Sequence, residues 1–427
     1  MLDIKLIRET PQIVKKNLQK RGDKEKLEWV DDVVELDKKW RSGLKKIEDL
    51  RRKRNVVTHE IAKIKANGKS ASKEIQEMKD IPNKIKELEE KNQKYREKMM
   101  YYLMRIPNIL HDSVPKGKDD EDNVETKKWG NPPKFDFKSK NHLDLLLDLG
   151  LIDQERANKI SGNGFYYYKE GLVLLDRALQ SYTIDFLRKK GYVLIKPPYM
   201  MRKKPYEGVT DFEFFQDQAY KIEEEDLYLI ATSEHPMAAM FINEVLDKDK
   251  LPLKLVGISP CFRKEVGAHG KYTKGLFRMH QFDKIEQFIF CLPEQSWELH
   301  EELQKNAEEL YQNLGLSYRV VNVCTGDIGD IAAKKYDIEI WMADGKYREV
   351  GSNSNCTDYQ SRRLNIKYRE TEGKPPVGFI HTLNNTAIAT SRTMVAVLET
   401  YQKADGTIEI PKVLRPYMSG MKVLEKK

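Results

Sequence analysis

Between residues 27 and 66, apolar side chains recur at spacings of three, four and seven: Val33, Leu36, Trp40, Leu44, Ile47, Leu50, Val57, Ile61 and Ile64. Such a narrow stripe predicts one long helix. Asn67-Gly68 breaks the pattern, Lys69 to Ser72 is turn material, and Ser72 suits an N-cap. A second stripe runs through Ile75, Met78, Ile85, Leu88, Tyr95, Met99 and Leu103, with Pro82 either kinking that helix or marking where its regular part begins. Each stripe is too narrow for a globular core and wide enough for the other. The pattern predicts an antiparallel two-helix coiled-coil arm over residues 1–112. Pro107, Pro115, Pro132, Pro133 and the acidic run Asp119–Asp122 read as a connection, assigned to 113–140, before a second domain over 141–427.

The periodicity then changes. Leu175, Ala178, Leu179, Tyr182, Phe186 and Leu187 keep helical spacing, Gly191 closes that helix, and Tyr192–Ile195 is a short strand before Pro197-Pro198. Asp226–Thr232 alternates like a strand. Cys261–Phe290 reads as two strands joined by a long turn containing Gly267, Gly270 and Gly275, and Asp337–Asn355 as a hairpin turning at Asp344-Gly345. In Thr382–Gln402, small and polar residues lead into a helix that buries Met394, Val397, Leu398 and Tyr401. Helical arm and mixed second domain together make an α+β protein.

Composition refines this. The chain has 427 residues, 33% of them charged, which fits two or three domains and one long solvated element. Net charge is +8, which permits a polyanionic partner without requiring one. The bias is local: from Lys38 to Lys69, twelve Lys and Arg stand against Glu48, Asp49 and Glu60. A charge run is commonly a solvated helix face; Lys45 and the consecutive Arg51, Arg52, Lys53 and Arg54 on a protruding helix also suit a phosphate backbone. Cys261, Cys291, Cys324 and Cys356 are at least 30 residues apart, so no local zinc knuckle is formed and free thiols in a reducing cytosol are expected. The N-terminus lacks an apolar leader and no 18-residue apolar run occurs, which predicts a soluble, cytoplasmic protein.

The candidate chemistry sits in the second domain. Alternation places Arg278, His280, Phe282, Lys284, Glu286 and Phe288 on one strand face, with Phe277, Met279, Ile285 and Ile289 on the other; Arg278 and Glu286 would lie roughly 26 Å apart. Arg263 and Glu265 would share a face of the preceding strand. A charged outer face of an ordinary hairpin is the plainer alternative. Thr232, Ser233 and Glu234 end their strand as hydroxyls and a carboxylate suited to a small polar ligand with an ammonium group, or equally as a helix N-cap. Glu349 and Ser352 offer oxygens that could hold Mg²⁺ against phosphates. Arg392 lies in a first helical turn, where a cation is disfavoured unless an anion binds there too.

Taken in order, TSE at Thr232–Glu234, FRKE at Phe262–Glu265, the HQFDKIE block ending at Glu286, REVGSNSN at Arg348–Asn355 and TLNNTAIATSRT up to Thr393 resemble the signature motifs of class II aminoacyl-tRNA synthetases, specifically the seryl-tRNA synthetase family in its archaeal and eukaryotic form. The resemblance spans the chain, arm included. It implies an antiparallel sheet flanked by helices, a homodimer joined through the first motif ending at Pro198, and a ligase forming seryl-adenylate from serine and ATP before charging tRNA-Ser, with tRNA-Sec as a further substrate. It implies that Arg263 and Arg392 are catalytic and that Arg263, Lys264, Glu265, Met279, Phe282, Glu349, Val350, Gly351, Ser352 and Arg392 bind ATP. Serine would be held by Thr232, Ser233, Glu234, Arg263, Glu286, Asn384 and Thr386, and Mg²⁺ by Glu349 and Ser352. Lys45 and Arg51–Arg54 would meet the long variable arm of tRNA-Ser, while His269 and His280 would be positional. Many members carry glycines where this chain has Asn385, Thr386 and Ser391, which weakens the transfer of a serine contact to Thr386. The motif order fits the zinc-free form, leaving zinc a minor possibility at Cys261 and Cys356. Two rivals are a relative that charges a carrier protein, which the arm argues against, and a non-enzymatic RNA-binding paralogue, which retention of the charged motif residues argues against.

Overall fold

The computed structural model describes residues 1–266 and 275–426. The chain divides into two compact units, Met1–Ile109 and Leu110–Lys427.

In the first unit, α1 (Ile4–Glu9) and α2 (Pro11–Arg21) pack at the base of α3 (Lys26–Ala66), whose return partners are α4 (Ser72–Lys79) and α5 (Ile81–Leu103). Pro82 lies in the first turn of α5, where its missing N–H costs no hydrogen bond. It therefore marks a start rather than a kink, and a break at Asp80 separates α4 from α5. Ile47, Ile81 and Ile85 form the arm's apolar seam with Leu50, Met78 and Leu88. The seam is tight at Gly43, where a Cβ would lie 2.2 Å from Asn92 Oδ1 on α5. Ile75, expected on the stripe, is exposed because the separate α4 does not continue the register of α5.

The second unit is built on an eight-stranded sheet. Its strands are β1 (Val124–Trp129), β2 (Val193–Ile195), β3 (Leu253–Phe262), β4 (Gln281–Cys291), β5 (Tyr318–Asn322), β6 (Lys334–Trp341), β7 (Tyr347–Asn355) and β8 (His381–Ala389). They lie in the order β1-β5-β6-β7-β8-β4-β3-β2, every neighbouring pair antiparallel except β2 with β3. Residues 113–140, expected as a connection, supply the edge strand β1, exposed along its length.

Helices α6 (Gly171–Lys189), α8 (Ser296–Asn313) and α9 (Thr390–Thr400) bury their apolar faces against one side of the sheet. Odd-numbered Ile285, Ile289 and Cys291 of β4 join that core. On the other side, Phe288 and Phe290 pack among Tyr206, Phe212 and Ile230. The same strand face thus turns from apolar at Phe288 and Phe290 to charged at Lys284 and Glu286, with Phe282 beyond them, where the functional site opens.

Three expectations change. β3 ends at Phe262 and β4 begins at Gln281, so Arg263, Glu265 and Arg278 lie beyond the strands and the 26 Å strip does not extend to Arg278. Gly267, Gly270 and His269 fall outside the described residues. The polar run before α9 is a nine-residue strand, almost wholly buried. Finally, only Tyr228–Leu229 of the expected strand before Thr232 is extended and paired; Glu234 opens α7 (Glu234–Ala238).

Candidate active site

An open cavity of about 430 Å³ lies over the middle of the sheet, lined by Arg263, Glu265, Phe277, Arg278, Met279, Phe282, Lys284, Glu349, Val350, Gly351, Thr386, Ala389, Ser391 and Arg392. Arg263 leaves the end of β3 with its backbone N–H bonded to the His280 carbonyl (3.0 Å) and its carbonyl 2.9 Å from His280 Nδ1. Phe165 stacks on that imidazole, and the Arg263 guanidinium lies 5.4 Å from the Phe282 ring centre. His280 therefore clamps the backbone that carries Arg263. Glu265 adopts a left-handed φ of 51°, sparsely populated for a residue with a side chain, and its carboxylate accepts from Arg278 Nη1 at 3.0 Å.

Opposite, Arg392 in the first turn of α9 donates to the Glu349 carbonyl (2.9 Å) and lies 3.4 Å from Glu349 Oε2. Glu349 thus offsets part of the conflict between a cation and the helix N-terminus. Its carboxyl is raised by desolvation, but Arg392, Lys335 and Arg263 outweigh that and hold it below the usual carboxylate range. Glu349 and Ser352 are three residues apart and would face opposite sides of a regular strand. The register of β7 against β6 slips between Gly351 and Glu349, and this bulge resets the alternation. Ser352 then donates to Glu349 Oε1 at 3.2 Å. Directly across, Asp337 is buried; Lys335 lies 3.7 Å from its Oδ2, and among the described residues its Oδ1 has no hydrogen-bond partner. Gly351 packs closely beside them, a Cβ there lying 3.1 Å from Thr386.

Deeper in, Glu286 is the register partner of Gly257 on β3 and Thr386 on β8. Its Oε2 lies 2.5 Å from Lys284 Nζ and accepts from Thr386 Oγ1 at 3.3 Å. Glu234 accepts from Asn384 Nδ2 (3.1 Å) and Gln360 Nε2 (3.4 Å). Desolvation pushes its carboxyl up to about 7, Glu286 adding to the rise and Lys284 and Arg263 opposing it. Thr232 Oγ1 accepts from the Glu234 N–H, whereas Ser233 Oγ is buried without a partner among the described residues.

Of the expected nucleotide residues, the cavity gathers Arg263, Glu265, Met279, Phe282, Glu349, Val350, Gly351 and Arg392, while Ser352 joins through Glu349. Lys264 does not line it; that side chain is exposed and its ammonium lies 5.9 Å from the Tyr220 ring centre. Of the expected amino-acid residues, Thr386 and Arg263 face the cavity, and Glu286, Glu234 and Asn384 are tied into one layer with it. Cys356 Sγ lies 3.8 Å from Asn384 Nδ2, and burial pushes the Cys261 and Cys356 thiols up, keeping them protonated. Sequence reasoning missed Lys284 as a member of the site, although it placed that residue on the correct face. It also missed Gln360 and Asp337, which carry no local motif. On the arm, Lys45, Arg52 and Lys53 are exposed, while Arg51 is engaged by Glu89 of α5 at 2.7 Å.

An antiparallel sheet backed by helices, with two arginines converging over a carboxylate-lined cavity, defines a class II aminoacyl-tRNA synthetase core. Residues 216–401 match the tRNA synthetase class II core domain (G, H, P, S and T), and residues 1–110 match the seryl-tRNA synthetase N-terminal domain. The chain is 55% identical to the serine–tRNA ligase of Methanocella arvoryzae, across 99% of this chain and 100% of that one. Its fold superposes on the crystal structure of seryl-tRNA synthetase from Pyrococcus horikoshii complexed with ATP at a TM-score of 0.94, with 50% identity and both chains fully covered. A cytoplasmic serine–tRNA ligase from Naegleria fowleri in complex with AMP gives 0.90 and 37%, covering 100% of this chain and 99% of that one. The chain belongs to the seryl-tRNA synthetase family.

Proposed function

We propose that the chain activates L-serine with ATP, forming seryl-adenylate and pyrophosphate, and passes the seryl group to the 3′-terminal adenosine of tRNA-Ser, and of tRNA-Sec where present. The observation that carries this is the convergence of Arg263 and Arg392 on a cavity whose inner layer is Glu286, Thr386, Asn384 and Glu234. Attack of a carboxylate on the α-phosphorus needs charge neutralised and reactants aligned, and little proton transfer. Arg263 bridges the serine carboxylate and the α-phosphate, Phe282 stacks on adenine, Met279 lies against the nucleotide and Glu265 contacts the adenine side. Arg392 takes the γ-phosphate. Glu234 and Thr232 receive the ammonium, and Glu286 with Thr386 and Asn384 the hydroxyl.

The hard oxygens of Glu349 and Ser352, held on one side by the bulge, fit Mg²⁺, which favours one or two protein oxygens completed by phosphates. When bound there it would neutralise the β- and γ-phosphate charge. The exposed Val193 and Leu194 of the edge strand β2, with Val173 and Leu174 exposed in the first turn of α6, fit an apolar homodimer interface. Lys45 and the Arg51–Arg54 run supply phosphate contacts to the tRNA.

The test is ATP–pyrophosphate exchange driven by serine. Exchange with serine and not alanine is expected, and Arg392→Ala should lower kcat/KM by about 100-fold or more. No serine-dependent exchange would overturn the reading, and near-normal exchange by Arg392→Ala would misplace the phosphate anchor.

A further inference from the structure

We propose that Lys284 is a positioning residue that fixes the orientation of Glu286 as the acceptor that reads the substrate hydroxyl. This rests on the serine-activation reading of the cavity. Lys284 and Glu286 are two residues apart on the inner face of β4, 6% and 1% exposed. Nζ lies 2.5 Å from Oε2 and 3.5 Å from Thr386 Oγ1, and Thr386 Oγ1 is itself 3.3 Å from Oε2. Ammonium, hydroxyl and carboxylate therefore close a triangle on one oxygen. Among the described residues no hydrogen bond engages Oε1, which is left to accept from a ligand.

The charge count of the layer gives this triangle its purpose. Two carboxylates face the amino-acid end, and a single buried ammonium is bonded to one of them. The hydrogen-bond donors at the Glu234 carboxylate are the neutral amides of Asn384 and Gln360. Glu286 is thus already compensated when the cavity is empty, and Glu234 is the carboxylate that awaits a cation. A serine entering this layer is oriented by that asymmetry, its ammonium towards Glu234 and its hydroxyl towards Glu286.

Without Lys284, Oε2 loses the ammonium that pins it beside Thr386, and the Glu286 carboxylate can turn. Oε1 can then accept from Thr386 Oγ1 instead of demanding a donor from the ligand. Alanine is rejected because it leaves an acceptor unmet, so that penalty shrinks. Lys284 acts through Glu286 and makes no contact of its own with the reacting atoms.

The experiment is exchange kinetics with serine and alanine for the parent chain, Lys284→Met, Lys284→Arg, Glu286→Gln and the Lys284→Met/Glu286→Gln double variant. In Lys284→Met the serine KM should rise about 10-fold or more while the ATP KM stays within about twofold, and the kcat/KM preference for serine over alanine should fall about 10-fold. Lys284→Arg should recover most of both. The double variant removes both buried charges together, so it reads the coupling even where Lys284→Met alone fails to fold; it should be no worse than Glu286→Gln. A Lys284→Met loss confined to kcat, an unchanged preference, or a double variant about 10-fold worse than Glu286→Gln overturns the assignment. Exchange by the parent chain with Lys284→Met indifferent overturns it alone; absence of serine-dependent exchange by the parent overturns the serine reading as well.

Discussion

At Glu234 the site asks for a charge that its surroundings resist. Its carboxyl is pushed up to about 7, so at neutral pH much of the unliganded protein holds it protonated. Only the ionised form attracts an ammonium, so kcat/KM for serine should climb through a midpoint near 7 and level off above it. Exchange rates measured from pH 6 to 8.5 check this, and a flat profile would exclude Glu234 as the ammonium partner. Glu234→Gln should abolish the climb and lower kcat/KM for serine at least about 10-fold. Arg392 could be read from the sequence as a cation in a first helical turn, and Arg263 and Glu286 through the motifs that carry the family resemblance. Gln360, Asp337 and the coupling of Lys284 to Glu286 could not. Their meaning lies in which side chain stands across a strand or at the start of another helix, and neither motif nor periodicity encodes that.

Among elements, β8 departs furthest from what its pattern suggests. LNNTAIA has the polarity of a loop, yet the strand is buried between β7 and β4. Its polar side chains are consumed internally: Gln287 Nε2 donates to Asn385 Oδ1 at 2.7 Å, and Asn306 Nδ2 to Gln287 Oε1 at 2.8 Å. Asn385→Leu would remove the Gln287 amide's short partner in the core and leave it only the longer bond to the Leu303 carbonyl (3.4 Å), costing about 1–2 kcal/mol. Thermal or urea unfolding reads this; an unchanged midpoint would mean the network contributes nothing net. The helical arm was far more legible, because a stripe at spacings of three and four needs no knowledge of distant residues. The bulges at β7 and β8 were invisible for the opposite reason, since a bulge is a statement about a neighbour's register.

Across the whole molecule, the family matches assign the seryl-specific N-terminal domain to 1–110 and the shared class II core to 216–401. In the proposed function, activation needs only the cavity, and the basic face of α3 serves tRNA binding. Replacing residues 38–95 by a short glycine-rich turn should therefore leave serine-dependent exchange within about threefold and lower tRNA charging about 100-fold or more. Full-rate charging by the shortened chain would refute the role of the arm. The strand order carries a consequence for how such a chain is made. β8 is the last of the eight strands to leave the ribosome, yet it lies in the middle of the sheet, between a four-strand half ending at β7 and a three-strand half ending at β4. Until residue 389 is synthesised, each half presents a raw inner edge able to pair with another nascent chain. Arg263 belongs to one half and Glu349 to the other, so insertion of β8 seals those edges and brings the two sides of the cavity together, and Arg392 completes it only when α9, which follows β8 in the chain, is in place. Protection from aggregation therefore comes one step before the ability to react.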